Sequence, residues 1–346
     1  MDTANIFAGC WKGLLSNLTC ACEKVNRSST RHGLCVCRMN PADLKIVIIG
    51  RNGQLAWEAN QRFQGLGQII CAGRPEFDLL DLNGMREEIR RIKPSVIVNA
   101  AAYTAVDQAE SEPEAAIKIN SEAPAAMAEE AKRLGALFIT YSTDYVFDGK
   151  KDSPYSETDP TAPLNVYGES KLSGERAVEA VGGSYLIFRT SWVYGAHGKN
   201  FLKTILKLAA ERPELKIVDD QVGAPTWSRD LADATRKIIE QLRDQSASEK
   251  LPVAEASRDR RGIYHMTAAG SVSWYGFAAA IMEEMGKHGL SNSTLAKLVP
   301  IPSSEYPTPA ARPHNSRLCN EKLKNAFGVT LPPWRESLAV VMGELG

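Results

Sequence analysis

The chain has 346 residues, 44% of them apolar and 24% charged, with 41 basic and 41 acidic side chains, enough for one large α/β domain or two modest ones around a sizeable core. The charge balance excludes a whole-molecule field drawing the chain to nucleic acid or an anionic membrane. No apolar run approaches the length that crosses a bilayer, and the opening "MDTANIFAGCWKGLLSNLTCACEK" lacks the basic start and continuous apolar stretch of a secretory signal, so a cytoplasmic protein is expected.

Residues 1–43 read as a disordered leader. Cys10, Cys20, Cys22, Cys35 and Cys37 fall there, and only Cys71 and Cys319 lie beyond. Two C-x-C pairs offer four thiolates, but the usual zinc knuckle is C-x-x-C, so free thiols are expected and no metal. Met39 opens "MNPADLKIVIIG" directly before the first strand and marks a second candidate start.

Short apolar runs then alternate with longer amphipathic segments. That pattern demands a Rossmann-type, doubly wound parallel sheet covered on both faces. The first run, "KIVIIG", ends at Gly50, and a helix follows over 55–63. The turn Gly50, Arg51, Asn52, Gly53, with Gln54 and Leu55 opening the helix, has the position and G-x-x-G spacing of a pyrophosphate-binding turn.

The second run, "QIICAG", ends on Gly73, where an acid would bind the ribose hydroxyls of NAD. Arg74 follows and Arg51 sits in the glycine turn; two guanidiniums without a carboxylate fit a ribose 2′-phosphate and favour NADPH, with NADH the other option. Asp81, with Leu82 beside it, is expected at the adenine amino group, and a helix is expected over 85–92. "SVIVNAAA" follows, and Asn99 to Thr104, including Ala101, Ala102 and Tyr103, should line the ribose and nicotinamide half. A helix over 115–134 leads to "ALFITYS", which carries hydroxyls at Ser142 and Thr143 at the carboxyl edge, where open α/β sheets bind ligands.

The next helix, 164–181, places Tyr167 and Lys171 one turn apart on one face. Together with Thr143 they are what a ketone reduction needs: a phenol to give a proton to the carbonyl oxygen, an ammonium to stabilise the phenolate left behind, and a hydroxyl to orient the carbonyl. "SYLIFRT" completes a dinucleotide-binding domain over 44–191. Beyond it the pattern loosens: a helix near 229–242, a polar loop over 243–262, and late strands near 214–224 and 261–268 expected to rejoin the sheet. Residues 192–346 are expected to form mainly a smaller, partly interleaved substrate-binding domain.

The stretches "VNAAAYTAVDQAESEPE", "YSTDYVFDG", "APLNVYGESKLSGE", "RTSWVYG", "NFLKTILKLAAER", "DDQVGAPTW" and "TPAARPHNSRL" resemble the dTDP-4-dehydrorhamnose reductases, extended short-chain dehydrogenases. The resemblance runs from "KIVIIG" to the C-terminus. It implies NADPH-dependent reduction of the 4-keto group of dTDP-4-dehydro-L-rhamnose, the last step of dTDP-L-rhamnose biosynthesis, with Thr143, Tyr167 and Lys171 catalytic. It places Thr143 and Asp144 on the sugar and Trp192 as its aromatic wall. Thr104, Val106 and Tyr145 are further implied substrate contacts. Asn200 and Phe201 are implied at the nucleotide half, with Gln221 and the "ARPHNS" turn closing over the diphosphate and Arg312 pairing with it.

One departure stands out. Some members of that family dimerise through a magnesium ion held by three carboxylates; Glu58 and Glu344 match two of them, but the third falls at Arg229. A guanidinium cannot ligate a hard cation, so no magnesium-bridged dimer and a monomer are expected. Two rival readings share the glycine turn and the Tyr-Lys spacing: a binding protein like the regulatory β subunit of methionine adenosyltransferase, and another sugar-nucleotide reductase or epimerase.

Overall fold

The computed structural model describes residues 44–288 and 295–345; the leader and its five cysteines lie outside them. The chain alternates β1 (Leu44–Ile49), α1 (Gln54–Arg62), β2 (Gly67–Ala72), α2 (Leu82–Ile92), β3 (Val96–Asn99), short α3 (Val106–Ala109) and α4 (Pro113–Ile117), then α5 (Ala123–Leu134), β4 (Leu137–Thr143), α6 (Val166–Val181) and β5 (Tyr185–Thr190). There follow β6 (Val193–Tyr194), α7 (Phe201–Glu211), β7 (Glu214–Val218), β8 (Val222–Gly223), β9 (Thr226–Trp227), α8 (Ser228–Glu249), α9 (Val253–Ala256) and β10 (Gly262–His265). The last elements are β11 (Val272–Ser273), α10 (Trp274–Lys287), β12 (Lys297–Ile301), α11 (Glu321–Phe327) and α12 (Trp334–Leu345).

Six strands form one parallel sheet in the order β2-β1-β3-β4-β5-β10. Their side chains alternate between two cores, as the two-residue pleat requires. Ile46, Ile48, Val98, Ile139 and Phe188 pack with α1 and α8 on one face. Val47, Ile49, Ile97, Phe138 and Ile187 pack with α2, α5 and α6 on the other. From β1 the chain goes outward to β2 and returns to β3 on the other side, which opens a crevice at the carboxyl ends of β1 and β3. A third core gathers Leu202, Ile205, Trp227, Phe277, Ile281, Leu338 and Val341.

Three expectations are corrected. The helix expected over 115–134 is interrupted by a π turn at Lys118–Glu122. Pro124 has no N–H for the Asn120 carbonyl four residues back, and the ladder widens there. The strand expected near 214–224 does not rejoin the large sheet: β7 pairs with β12 and β8 with β11 in separate two-stranded sheets. Glu214 and Lys216 alternate along β7 on an exposed side, so it cannot be buried on both faces. The polar run after residue 242 continues α8 to Glu249 in place of an open loop, its Ala, Gln and Glu residues being good helix formers. β10 joins the sheet beside β5.

Candidate active site

The glycine turn backs directly onto β3. Gly50 has φ +113°, and a Cβ there would lie 3.0 Å from the backbone of Ala100 and Ala101, so both the conformation and the approach require glycine. Gly53 donates to the Gly50 carbonyl at 2.7 Å and precedes α1 without any side-chain cap, leaving the first-turn N–H groups of Gln54 and Leu55 to face the crevice. The turn therefore fits a pyrophosphate.

At the end of β2, Arg51 donates to the Arg74 carbonyl at 2.9 Å and meets Glu76 at 3.3 Å, an exposed and weak pair that the sequence reading missed. Gly73 lets Arg51 pass: a Cβ there would stand 3.2 Å from the Arg51 Cβ. Asp81 caps α2 by accepting from Gly84 at 3.0 Å, and Leu82 opens that helix.

The strand following α2 delivers Ala101, Ala102, Tyr103 and Thr104 to the same edge, and Val106 starts α3. Their backbone is clamped by Asn120, a buried residue of the π turn that no local signal marks. Its amide accepts from the Tyr103 N–H at 2.8 Å and donates to the Tyr103 carbonyl and the Ser170 hydroxyl, each at 3.0 Å. Asn120 thus ties the Ala101–Thr104 segment to α6.

On α6, capped by Asn165 through Gly168 at 2.8 Å, stand Tyr167 and Lys171. Thr143, 5% exposed at the end of β4, donates to Asp144 at 3.1 Å and accepts from the Tyr145 N–H at 3.2 Å. Burial pushes the Tyr167 phenol up to about 12, the neighbouring Thr143 hydroxyl pulls it down, and the Asp144 charge pushes it further up. Lys171 is buried with Nζ donating to the Tyr141 carbonyl at 2.6 Å; burial lowers it to about 8, against a raising charge at Glu175. Asp144 is buried and pushed up to about 6, its Oδ2 unpartnered among the described residues, like the hydroxyls of Ser142 and Thr190. Orphaned polar atoms at two adjacent strand ends are what a polar ligand satisfies. Tyr145 meets Tyr167 edge to face at 5.5 Å.

Trp192 adopts φ +49° and lies flat on Trp274 at 3.5 Å, with Gly223 packed against its other atoms. Trp274 was not foreseen, because its partner stands 82 positions earlier in the chain. Asn200 and Phe201, expected at the nucleotide half, both make contacts within the protein. Asn200 caps α7 and donates to Gln54 and to the Gly195 carbonyl, both at 2.8 Å, so its amide is fully occupied; Phe201 packs on Trp274 and Phe277. Gln221 is buried and donates to Ser303 at 3.0 Å. Arg312 pairs with Asp107 at 2.8 Å, and the Ser316 hydroxyl of the same turn helps to lower the Asp144 carboxyl against its burial. Away from this cleft, Arg229 bridges Glu58 and Glu344.

Such a sheet, glycine turn and helix face carrying a half-buried phenol one turn from a buried ammonium define a Rossmann-type protein of the short-chain dehydrogenase kind. Residues 44–346 match the family described as RmlD substrate binding domain. A Burkholderia thailandensis protein named dTDP-4-dehydrorhamnose reductase is 50% identical over 307 residues, covering 87% of this chain and 99% of its own. Among solved structures, a dTDP-4-dehydrorhamnose reductase from Clostridium acetobutylicum superposes with TM-score 0.78 at 36% identity, over 87% of this chain and 99% of that one. One from Bacillus anthracis, in complex with NADP, gives 0.76 at 32% identity over the same shares. The chain belongs to the RmlD family of dTDP-4-dehydrorhamnose reductases.

Proposed function

We infer that the protein is an oxidoreductase that uses NADPH to reduce the 4-keto group of dTDP-4-dehydro-L-rhamnose, yielding dTDP-L-rhamnose. The 50% identity to a reductase along nearly its whole length carries this reading. NADPH supplies the hydride when bound. Gly50 to Leu55 would hold its pyrophosphate, Arg51 and Arg74 its 2′-phosphate, and Ala101 to Thr104 its nicotinamide half. Asp81 and Leu82 would meet its adenine.

The substrate carbonyl is oriented by Thr143 as Tyr167 gives it a proton, and Lys171 stabilises the resulting phenolate. A phenol raised to about 12 stays protonated across the working range, as a proton donor must. Asp144 accepts from a sugar hydroxyl. Trp192 walls the deoxyhexose, and Arg312, released from Asp107, pairs with the diphosphate; Tyr145 and Val106 complete the lining. Residues 44–191 with β10 carry the coenzyme, and most of 192–346 carries the substrate. A reaction between NADPH and a nucleotide sugar supports a cytoplasmic location.

The magnesium site of some relatives does not fit here. Arg229 lies between the two matching carboxylates, donating to Glu58 at 2.9 Å and to Glu344 at 3.0 Å, so a guanidinium stands where a cation would need a ligand, which supports the reading that no magnesium bridges two copies.

Net loss of dihydronicotinamide absorbance on mixing the protein, NADPH and dTDP-4-dehydro-L-rhamnose tests the reaction. A regulatory subunit would show no loss, and an epimerase would return its hydride without net consumption.

A further inference from the structure

One turn beyond Lys171 on α6 stands Glu175, on the same face and 3% exposed. Both its oxygens are occupied by Arg189 of β5, which donates from Nε at 2.8 Å and from Nη2 at 2.6 Å. The two side chains are 2% and 3% exposed, and the guanidinium lies over the Phe147 ring at 5.1 Å. Arg189 stands in register with Ser142 on β4 and with His265 on β10, directly behind the cleft.

Fold stability alone does not account for this pair. Taking two charges out of water costs more than their attraction commonly returns, and apolar side chains of similar volume serve a core at least as well. Nη1 of Arg189 even lacks a partner among the described residues. The neighbour that gains is Lys171, a buried ammonium whose own hydrogen bond goes to a neutral carbonyl.

We propose that Glu175, gripped by Arg189, is a positioning residue that keeps Lys171 protonated beneath Tyr167. The inference rests on the reading of Tyr167 and Lys171 as the catalytic pair. Arg189 has its own part in the arrangement. A bare carboxylate one turn away would draw the lysine nitrogen into a direct ion pair and away from the phenol. With both oxygens taken by a bidentate guanidinium, Glu175 acts on Lys171 through space and leaves its N–H groups free.

Among the described residues, the other groups packed around Lys171 supply no competing negative charge. From β4 comes the Tyr141 carbonyl, while the Tyr141 phenol turns away to Thr235 at 2.7 Å. From α6 comes Tyr167, a neutral phenol. The Asp144 carboxyl acts on Tyr167, and His265, behind Arg189, is held neutral by burial and by the Arg189 charge. Glu175 is the charge that opposes the loss of the lysine proton.

The test is the pH dependence of kcat/KM at saturating NADPH in the wild type, Glu175→Gln, the double variant Glu175→Gln/Arg189→Met, and Lys171→Met. Wild-type activity falls on the alkaline side as Lys171 loses its proton. In Glu175→Gln that fall moves about one pH unit toward acid, the size expected for removing one nearby charge. The double variant, free of the guanidinium that the single change leaves unpaired, moves the same way and carries the test where the single variant fails to fold. A second readout needs no coenzyme: buried Lys171 makes stability rise with pH between about 8 and 10.5, and in Glu175→Gln this rise begins at lower pH. Variants that melt earlier yet keep the wild-type alkaline fall overturn the proposal and leave the pair a structural one. Full activity in Lys171→Met overturns the catalytic assignment beneath it, whatever Glu175 does.

Discussion

Arg229 holds Glu58 through two nitrogens, at 2.9 and 3.3 Å, and the carboxylate it holds is 1% exposed. The same guanidinium reaches Glu344 of α12 and lies over the Trp227 ring at 4.3 Å, so one side chain joins α1, the start of α8 and the C-terminal helix. Arg229→Ala leaves a buried carboxylate unpaired and should cost about 2 kcal/mol in urea unfolding. The wild-type elution volume in gel filtration should ignore a chelator. Arg229→Glu, which assembles three carboxylates, should make melting depend on magnesium.

Tyr167→Phe deletes the proton donor and little else, since the ring keeps its edge contact with Tyr145. Turnover should fall about 10³-fold, while NADPH binding measured by fluorescence stays within about twofold of wild type. Full activity in that variant would mean another group is the acid.

Asp144 is buried with one oxygen unpartnered, and burial raises it from 3.8 to about 6 despite the Thr143 hydrogen bond and the lowering influence of the Ser316 hydroxyl. The folded state therefore binds this proton more tightly than the unfolded one. Above about pH 6 the ionised carboxylate destabilises the fold, and the penalty disappears as pH drops toward 3.8. Asp144→Asn should be more stable than wild type by about 2 kcal/mol at pH 8 and equal to it near pH 4, as thermal unfolding across pH will register. The same variant should lose affinity for the sugar nucleotide, and a gain in stability at pH 4 equal to that at pH 8 would refute the account.

Trp274 forms the surface on which Trp192 lies. Trp274→Leu removes that surface and frees Trp192 from its left-handed backbone, so KM for the sugar nucleotide should rise roughly tenfold with the NADPH constant unchanged. A variant that alters only the NADPH constant would move Trp192 to the other half of the cleft.

The parts of the site legible in the sequence are those whose chemistry is local. Gly50 and Gly53 announce their turn because strand, turn and helix are contiguous, and Tyr167 and Lys171 meet because helical spacing alone brings them together. What stayed hidden depends on distant segments touching. Asn120 reaches Tyr103 and Ser170 across 17 and 50 positions, and its π turn follows from a proline that reads as an ordinary first-turn residue. Asn200 is ambiguous in another way: an asparagine before an amphipathic helix is both a ligand by resemblance and a cap by position, and the fold adds the cap and the Gln54 bond. The late strand near 214 has the length and apolar residues of a sheet strand, but its exposed Glu214 and Lys216 keep one side wet and leave it outside the large sheet.

The place of β10 bears on how the protein is made. β5 leaves the ribosome long before the strand that covers it, since Tyr185–Thr190 waits for Gly262–His265. Through that interval of synthesis the nascent sheet offers a row of unpaired amides along apolar "YLIF", the kind of raw border that recruits neighbouring chains. Stalled or truncated products ending before residue 262 should accordingly be the ones that chaperones retain.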